Sequence, residues 1–231
     1  MKFLLISLFL SVFGITSISA QEVNKLDANG KRHGAWQKKY KGSSQIRYEG
    51  TFDHGKEIGI FKFYCKNCKK TPIAVKEFDI GSDFADVKYF TPKGNLVSQG
   101  KMSGRKRVGE WLYFHENSSK VMTSEFYKNG KLHGQKTTFY LNDTITEKMN
   151  YVGGLKEGSK KYYSPEGVLL KTFQYENDIL SGAAAYYDSN GAVSIQGDYK
   201  DGKKNGLWKY YKQGKVVREE TYPKPSNKTK N

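Results

Sequence analysis

The chain has 231 residues, with 39 Lys+Arg against 23 Asp+Glu, a formal net charge of +16, and only two cysteines. That length allows one large or two small domains. So cationic a balance favours anionic surfaces such as phospholipid, lipopolysaccharide or nucleic acid, and a lone cysteine pair excludes a four-cysteine zinc class and a disulfide-framework fold.

Residues 1–20 open with Met1-Lys2, continue as an apolar run from Phe3 to Ile15 broken by Ser7, Ser11 and Gly14, and end on small residues at Ala20. This is the layout of a secretory signal peptide. The run is too short to span a bilayer, and no cysteine near the expected cut offers a lipid-anchoring site. An uncleaved anchor is the competing reading. Export disfavours nucleic acid as a partner, and no long apolar stretch follows, so no transmembrane segment is expected after cleavage. The lysines also read as a solvated face that keeps an extended sheet from self-associating.

A lead-in over 21–29 precedes a repeat. GKRHGAWQKKY (30–40), GKEIGIFKFY (55–64), GKLHGQKTTFY (130–140), GLKEGSKKYY (154–163) and GKKNGLWKYY (202–211) are read as copies, not all complete, of the form Gly-x3-Gly-x-(aromatic)-x-x-(Tyr/Phe). Looser copies are GRKRVGEWLYF (104–114), DILSGAAAYY (178–187) and GSDFADVKYF (81–90). The second slot holds Gly34, Gly59, Ala85, Gly109, Gly134, Gly158, Gly182 and Gly206, at steps of 24 to 26 residues. Phe52, Phe78, Met102, Tyr127, Tyr151, Tyr175, Tyr199 and Tyr222 run in phase with it. Two series holding one period define about eight units over 30–222.

Each unit reads as two strands. Trp208 and Tyr210 project to one face while Leu207, Lys209 and Tyr211 project to the other; Trp111, and by position Trp36, follow the same alternation. Thr91-Pro92-Lys93-Gly94, Ser164-Pro165-Glu166-Gly167 and Asp188-Ser189-Asn190-Gly191 are turn signatures, and Asn129-Gly130 and Asp201-Gly202 make return turns. The glycine pairs are assigned to turn geometry. No sustained helical period appears. The expected fold is therefore all-β, an elongated single-layer antiparallel meander of about eight two-strand repeats. Such a sheet is strongly twisted, with each unit touching mainly its neighbours. A cationic tail over 223–231 is read as disordered, and the lysines and end prolines imply a monomer.

The repeated Gly-x3-Gly-x-Trp-x-x-Tyr-Tyr resembles the MORN-repeat variant family, which includes YwqK-type antitoxin-like repeat proteins. The resemblance covers residues 30 to about 222. It implies a meander of β-hairpins without catalytic residues that contacts proteins or membrane surfaces. The signal peptide separates this chain from a cytosolic antitoxin.

Chemistry-bearing residues do not converge in the sequence. Glu49, Asp53, Glu57, Glu77, Asp79, Glu110 and Glu125 are spread along strands and turns, and read as surface charge pairing. His33, His54, His115 and His133 are scattered, with His33 and His133 at tolerant, exposed positions. No Gly-x-Ser-x-Gly, HExxH or phosphate-loop motif is present. No enzyme, cofactor or metal site is expected. Lys160-Lys161-Tyr162-Tyr163 and Lys209-Tyr210-Tyr211-Lys212 offer either a stacking platform for sugars or bases or a packing ladder, the latter favoured. Cys65 and Cys68 fall where other units turn. The first and fourth residues of a β-turn lie under ~7 Å apart, within disulfide range, so a bridged loop is expected over a redox pair. The expected function is that of an exported, non-catalytic adaptor or scaffold. Its partner would be a protein or an anionic envelope surface. The alternative is an antitoxin or immunity protein.

Overall fold

The computed structural model describes residues 22–224 apart from positions 69 and 80; the signal-peptide reading of 1–20 and most of the tail fall outside this range. The described chain is all-β, and antiparallel pairing joins its strands into one open sheet. A short β1 (Lys25–Leu26) leads into β2 (Arg32–Lys39) and β3 (Ile46–Asp53), the first unit. The next three units are β4 (Lys56–Phe63) with β5 (Ala74–Phe78), β6 (Phe84–Phe90) with β7 (Leu96–Ser103), and β8 (Lys106–Phe114) with β9 (Val121–Lys128).

In the following three units the first strand is interrupted at one residue. These are β10 (Lys131–Leu132) and β11 (Gly134–Phe139) with β12 (Ile145–Val152), β13 (Leu155–Lys156) and β14 (Gly158–Tyr163) with β15 (Leu169–Glu176), and β16 (Ile179–Leu180) and β17 (Gly182–Tyr187) with β18 (Val193–Lys200). β19 (Lys203–Lys212) and β20 (Lys215–Tyr222) close the array. The units form as read from the period.

The second-slot glycines are not turn residues, which corrects the sequence reading. They sit inside the first strand of each unit in the left-handed region, with φ of +63° at Gly109 and +65° at Gly206. There the strand bulges against its predecessor. Lys101 pairs with Val108, but the adjacent Gly100 pairs with Trp111, so Gly109 and Glu110 are looped out of the ladder. An L side chain tolerates that φ poorly. Ala85 accordingly lacks it, and β6 runs in unbroken register with β5 from Ala85 to Tyr89.

The bulge frees a backbone carbonyl, and in the units carrying Trp the indole takes it. Trp111 Nε1 donates to Lys101 O at 2.9 Å and Trp208 Nε1 to Asp198 O at 3.1 Å. Trp36 Nε1 reaches Lys25 O at 3.0 Å, so β1 serves as the missing strand before unit one.

Both rims are stitched between units. On one, a turn N–H donates to a carbonyl of the preceding hairpin: Gly55 to Arg32, Gly130 to Arg107, Gly154 to Leu132, Gly202 to Leu180, all within 3.0 Å. On the other, a side chain just past the first strand reaches the next unit: Tyr40 Oη to Tyr64 O (2.6 Å), His115 Nε2 to Phe139 O (3.2 Å) and Tyr140 Oη to Tyr163 O (3.0 Å). In unit two that side-chain position is Cys65, bonded to Cys68 across a Cα separation of 5.1 Å. The bridge closes the start of the loop between Phe63 and Ala74, the next paired residues of β4 and β5.

One row of side chains forms the core. It crosses the strands as Trp36, Gly50, Phe61, Lys76, Val87, Gly100, Trp111 and Glu125. Phe61 and Trp111 are 0 % exposed and lie flat over Gly50 and Gly100, where a Cβ would meet ring atoms at 2.5 Å. Trp208 covers Gly197 in the same way. Substituting Gly100→Ala should therefore destabilise by about 1–3 kcal/mol through overpacking. Gly109→Ala, whose Cβ would meet nothing within 4 Å, should cost only the left-handed strain of about 1–2 kcal/mol. Urea titrations of Gly100→Ala with and without Trp111→Leu check this: the smaller side chain should relieve the clash at Gly100, and a strictly additive cycle would contradict the packing.

Candidate binding surface

The sheet has two unlike faces. On the aromatic face the rings contact one another and carry cations. Trp36 meets Phe52 (5.8 Å between centroids), Phe52 meets Phe61 (5.1 Å), and Phe61 meets Phe78 (5.6 Å), each edge to face. At the far end Phe173, Tyr199 and Trp208 continue the same chain of contacts. Two residues before the glycine slot sits a cation that caps each tryptophan: Arg32 over Trp36 (5.1 Å), Arg107 over Trp111 (4.5 Å) and Lys204 over Trp208 (4.1 Å). The sequence reading missed these cations, because lysine and arginine are common throughout the chain. Their shared offset from the glycine slot was the signal available.

The same cations anchor a repeated hydrogen-bond network. Arg107 Nη1 donates to Tyr113 Oη (2.6 Å) and Tyr127 Oη (3.2 Å), and Tyr127 Oη donates to Glu125 (2.6 Å). At equivalent positions of the last unit Lys204 approaches Tyr210, and Tyr210 and Tyr222 both donate to Glu220, at 3.0 and 2.6 Å. Burial pushes the Tyr113 phenol up from its ordinary value, reinforced by the Tyr127 hydroxyl. Burial also raises the Glu125 carboxyl, yet the hydrogen bonds from Tyr127 and Lys136 outweigh it and hold the group below the ordinary range. The Tyr222 and Tyr210 hydroxyls pull Glu220 down to about 2.

Glu125 corrects a second expectation. It is 8 % exposed, not a surface charge. In mid-array the core row turns ionic, with Lys136 2.9 Å from Glu125, and Lys160 3.2 Å from Glu147 and over the Tyr162 ring at 4.7 Å. The run Lys160-Lys161-Tyr162-Tyr163 is thus divided, with Lys160 and Tyr162 engaged on the aromatic face. Lys209 and Tyr211 lie on the opposite face, where Lys209 approaches Glu219 (3.9 Å) and Tyr211 accepts from Gln196 (2.7 Å).

That opposite face is open and differs from unit to unit. The residue after the glycine slot is Ala35, Ile60, Asp86, Glu110, Gln135, Ser159, Ala183 or Leu207 in the successive units. Shallow depressions mark it. One of about 600 Å³ is lined by Leu112, Ser124, Phe126, Gln135, Thr137 and Phe139. Another of about 410 Å³ is lined by Glu77, Asp86, Lys88, Gln99, Lys101 and Glu110, with Lys101 paired to Asp79 (2.9 Å) and Asp86 (3.5 Å). Ile60, Phe126 and Leu207 are 52 %, 40 % and 45 % exposed on this face.

The histidines are less scattered than the sequence implied. The turn His54-Gly55 brings His54 beside His33, ring centroids 4.7 Å apart, with Asp53 between them. His33 lies in a strand, not a turn, and like His133 its Nδ1 faces a backbone N–H of the next hairpin.

No family model matches the chain, and no curated protein matches it. Among solved structures, a mutant of S. aureus TarM in complex with Fondaparinux, alpha-GlcNAc-glycerol and UDP aligns at 15 % identity and a TM-score of 0.32. The match spans 47 % of this chain and 21 % of that one.

The depressed carboxylates set a direction for acid behaviour. Glu is ordinarily near ~4.3 in an unfolded chain. A group depressed on folding stabilises above that value, and its contribution is lost as pH falls through the folded one. Stability should therefore decline from about pH 5 toward pH 2. Urea midpoints for wild type and Glu125→Gln/Glu220→Gln test this; the double variant should be weaker near neutrality and show a shallower decline in acid.

Proposed function

We propose that this protein is an exported, non-catalytic scaffold that binds a protein partner or an anionic envelope surface through the face opposite its aromatic rows. The observation that carries this is the division of labour among its own repeats. On the aromatic face the series from Phe52 to Tyr222 recurs because rings and cations must fit one another there, although the slot two residues after the glycine holds Trp, Phe, Val, Lys or Ala. Positions on the opposite face change from unit to unit although the backbone repeats. Stacked-repeat proteins typically bind by varying one face over a constant frame.

The chemistry of that face suits a macromolecule. Ile60, Phe126 and Leu207 give apolar anchors amid Lys, Glu and Gln, and the depressions are open and shallow. Large polarised surfaces of this kind serve recognition, whereas catalysis draws reacting groups into an enclosed pocket. The net charge of +16 adds attraction toward anionic surfaces. The reading is of a monomer working in the envelope or outside the cell.

Immobilised protein should capture a specific partner from envelope extract or retain anionic vesicles. Phe126→Ser/Leu207→Ser should weaken that capture at least about tenfold, while the exposed substitutions move stability by only about 0.5 kcal/mol each. Capture of nothing, together with no vesicle retention, would count against the proposal.

A further inference from the structure

We infer that His33, Asp53 and His54 form a binding site for a borderline divalent metal ion, Zn²⁺ or Cu²⁺, at the N-terminal end of the array. Their ligand atoms all lie within 4.8 Å of one another. Asp53 Oδ1 is 3.5 Å from His33 Nδ1 and 3.8 Å from His54 Nε2; an ion on His33 Nδ1 would replace the long contact that this nitrogen accepts from the His54 backbone N–H at 3.4 Å. Tetrahedral zinc with bonds of about 2.0–2.1 Å holds its ligand atoms about 3.3 Å apart, so these two pairs need close by only a few tenths of an ångström. Two imidazoles and one carboxylate suit zinc or copper better than calcium or magnesium, which take oxygen ligands.

A second observation lies behind the ligands. Asp27, its side chain 7 % exposed, accepts from His54 Nδ1 at 2.6 Å. Its other oxygen accepts the backbone N–H groups of Asn29 and Lys31, both at 2.9 Å. A carboxylate held by these three hydrogen bonds, set against His54 Nδ1–H, fixes the tautomer and turns the Nε2 lone pair outward. Metal-binding histidines generally carry such a partner.

The chain contains its own comparison. His133 occupies the same repeat position as His33, and its Nδ1 accepts the Gly153 N–H at 3.3 Å. There Val152 and Gly153 stand where unit one has Asp53 and His54. The backbone contact is thus common to both units, whereas the ligand set belongs only to the first. The three side chains are 48 %, 56 % and 62 % exposed, in the order His33, Asp53, His54, leaving the fourth coordination position accessible. An ion there would tie β2 to the turn before β4, with Asp27 tying in the lead-in.

Calorimetry on the untagged mature chain, titrated with ZnCl₂ and separately with CuCl₂ in a non-coordinating buffer, tests the site. The expected result is one ion per chain. His33→Ala and His54→Ala should each weaken binding at least about 100-fold, Asp27→Asn by about 10-fold or more, and His133→Ala not at all. Circular dichroism confirms that each variant is folded, and backbone amide shifts on zinc addition should cluster at residues 27–33 and 53–55. Absence of binding at millimolar metal, or binding undiminished in folded His33→Ala/His54→Ala, overturns the inference.

Discussion

A sheet with no second layer must make its core from side chains lying on its own surface, and here that is done by setting rings flat over glycine. Trp111 over Gly100, Trp208 over Gly197 and Phe61 over Gly50 are fully buried without any covering helix or second sheet. Two things go together in this contact. The glycine lacks a Cβ and the ring strand is bulged; in the Trp111 and Trp208 units the indole also takes the freed carbonyl. Bulge, ring and bare backbone are parts of one packing unit. A bulge also sharpens local twist.

The middle of the array departs from this. Lys136 and Lys160 stand in the ring position there, and their partners are Glu125 and Glu147. Partly buried ion pairs offset their desolvation only where further hydrogen bonds satisfy them. Tyr127 supplies one to Glu125, and Met149, 1 % exposed, pairs with Lys136 across the strands. The core therefore changes from aromatic to ionic and back along the array while the backbone repeat is unchanged. In a nearest-neighbour architecture, stability need not be uniform along the chain. The aromatic ends act as the anchors, while carboxylates held below their ordinary range lie both in the centre, at Glu125, and at the far end, at Glu220.

Stitching at the rims explains how such a sheet holds its shape. Turns such as those at Gly55, Gly130, Gly154 and Gly202 donate a backbone hydrogen bond to the hairpin before them, and the opposite rim uses Tyr40, His115 and Tyr140 to reach the hairpin after it. With the aromatic face consumed by its own packing, the other face is left open, and that is where recognition is proposed to reside. The ends follow different rules. Trp36 borrows a carbonyl from β1, so the lead-in completes the first unit, and the His33–His54 cluster forms at that junction.

The period, the number of units, the two strands in each and the alternation of their side chains were legible from sequence, because each is a local pattern repeated many times. The Cys65–Cys68 loop was legible for a related reason: four consecutive residues carry their own geometry. The glycine slots were visible but misplaced. A sequence shows that a residue lacks a side chain, not whether its left-handed φ closes a turn or bulges a strand. Gly50, Gly100 and Gly197 recur in only three units, too few to show a period, and their role depends on a ring from the neighbouring strand. Glu125 looked like a surface charge because burial depends on what Tyr127 and Lys136 bring to it from other strands. His33 and His54 looked unrelated at 21 positions apart. Sequence determined what could be periodic; only the tertiary structure decided what meets between one hairpin and the next, since those contacts are set by bulge and register.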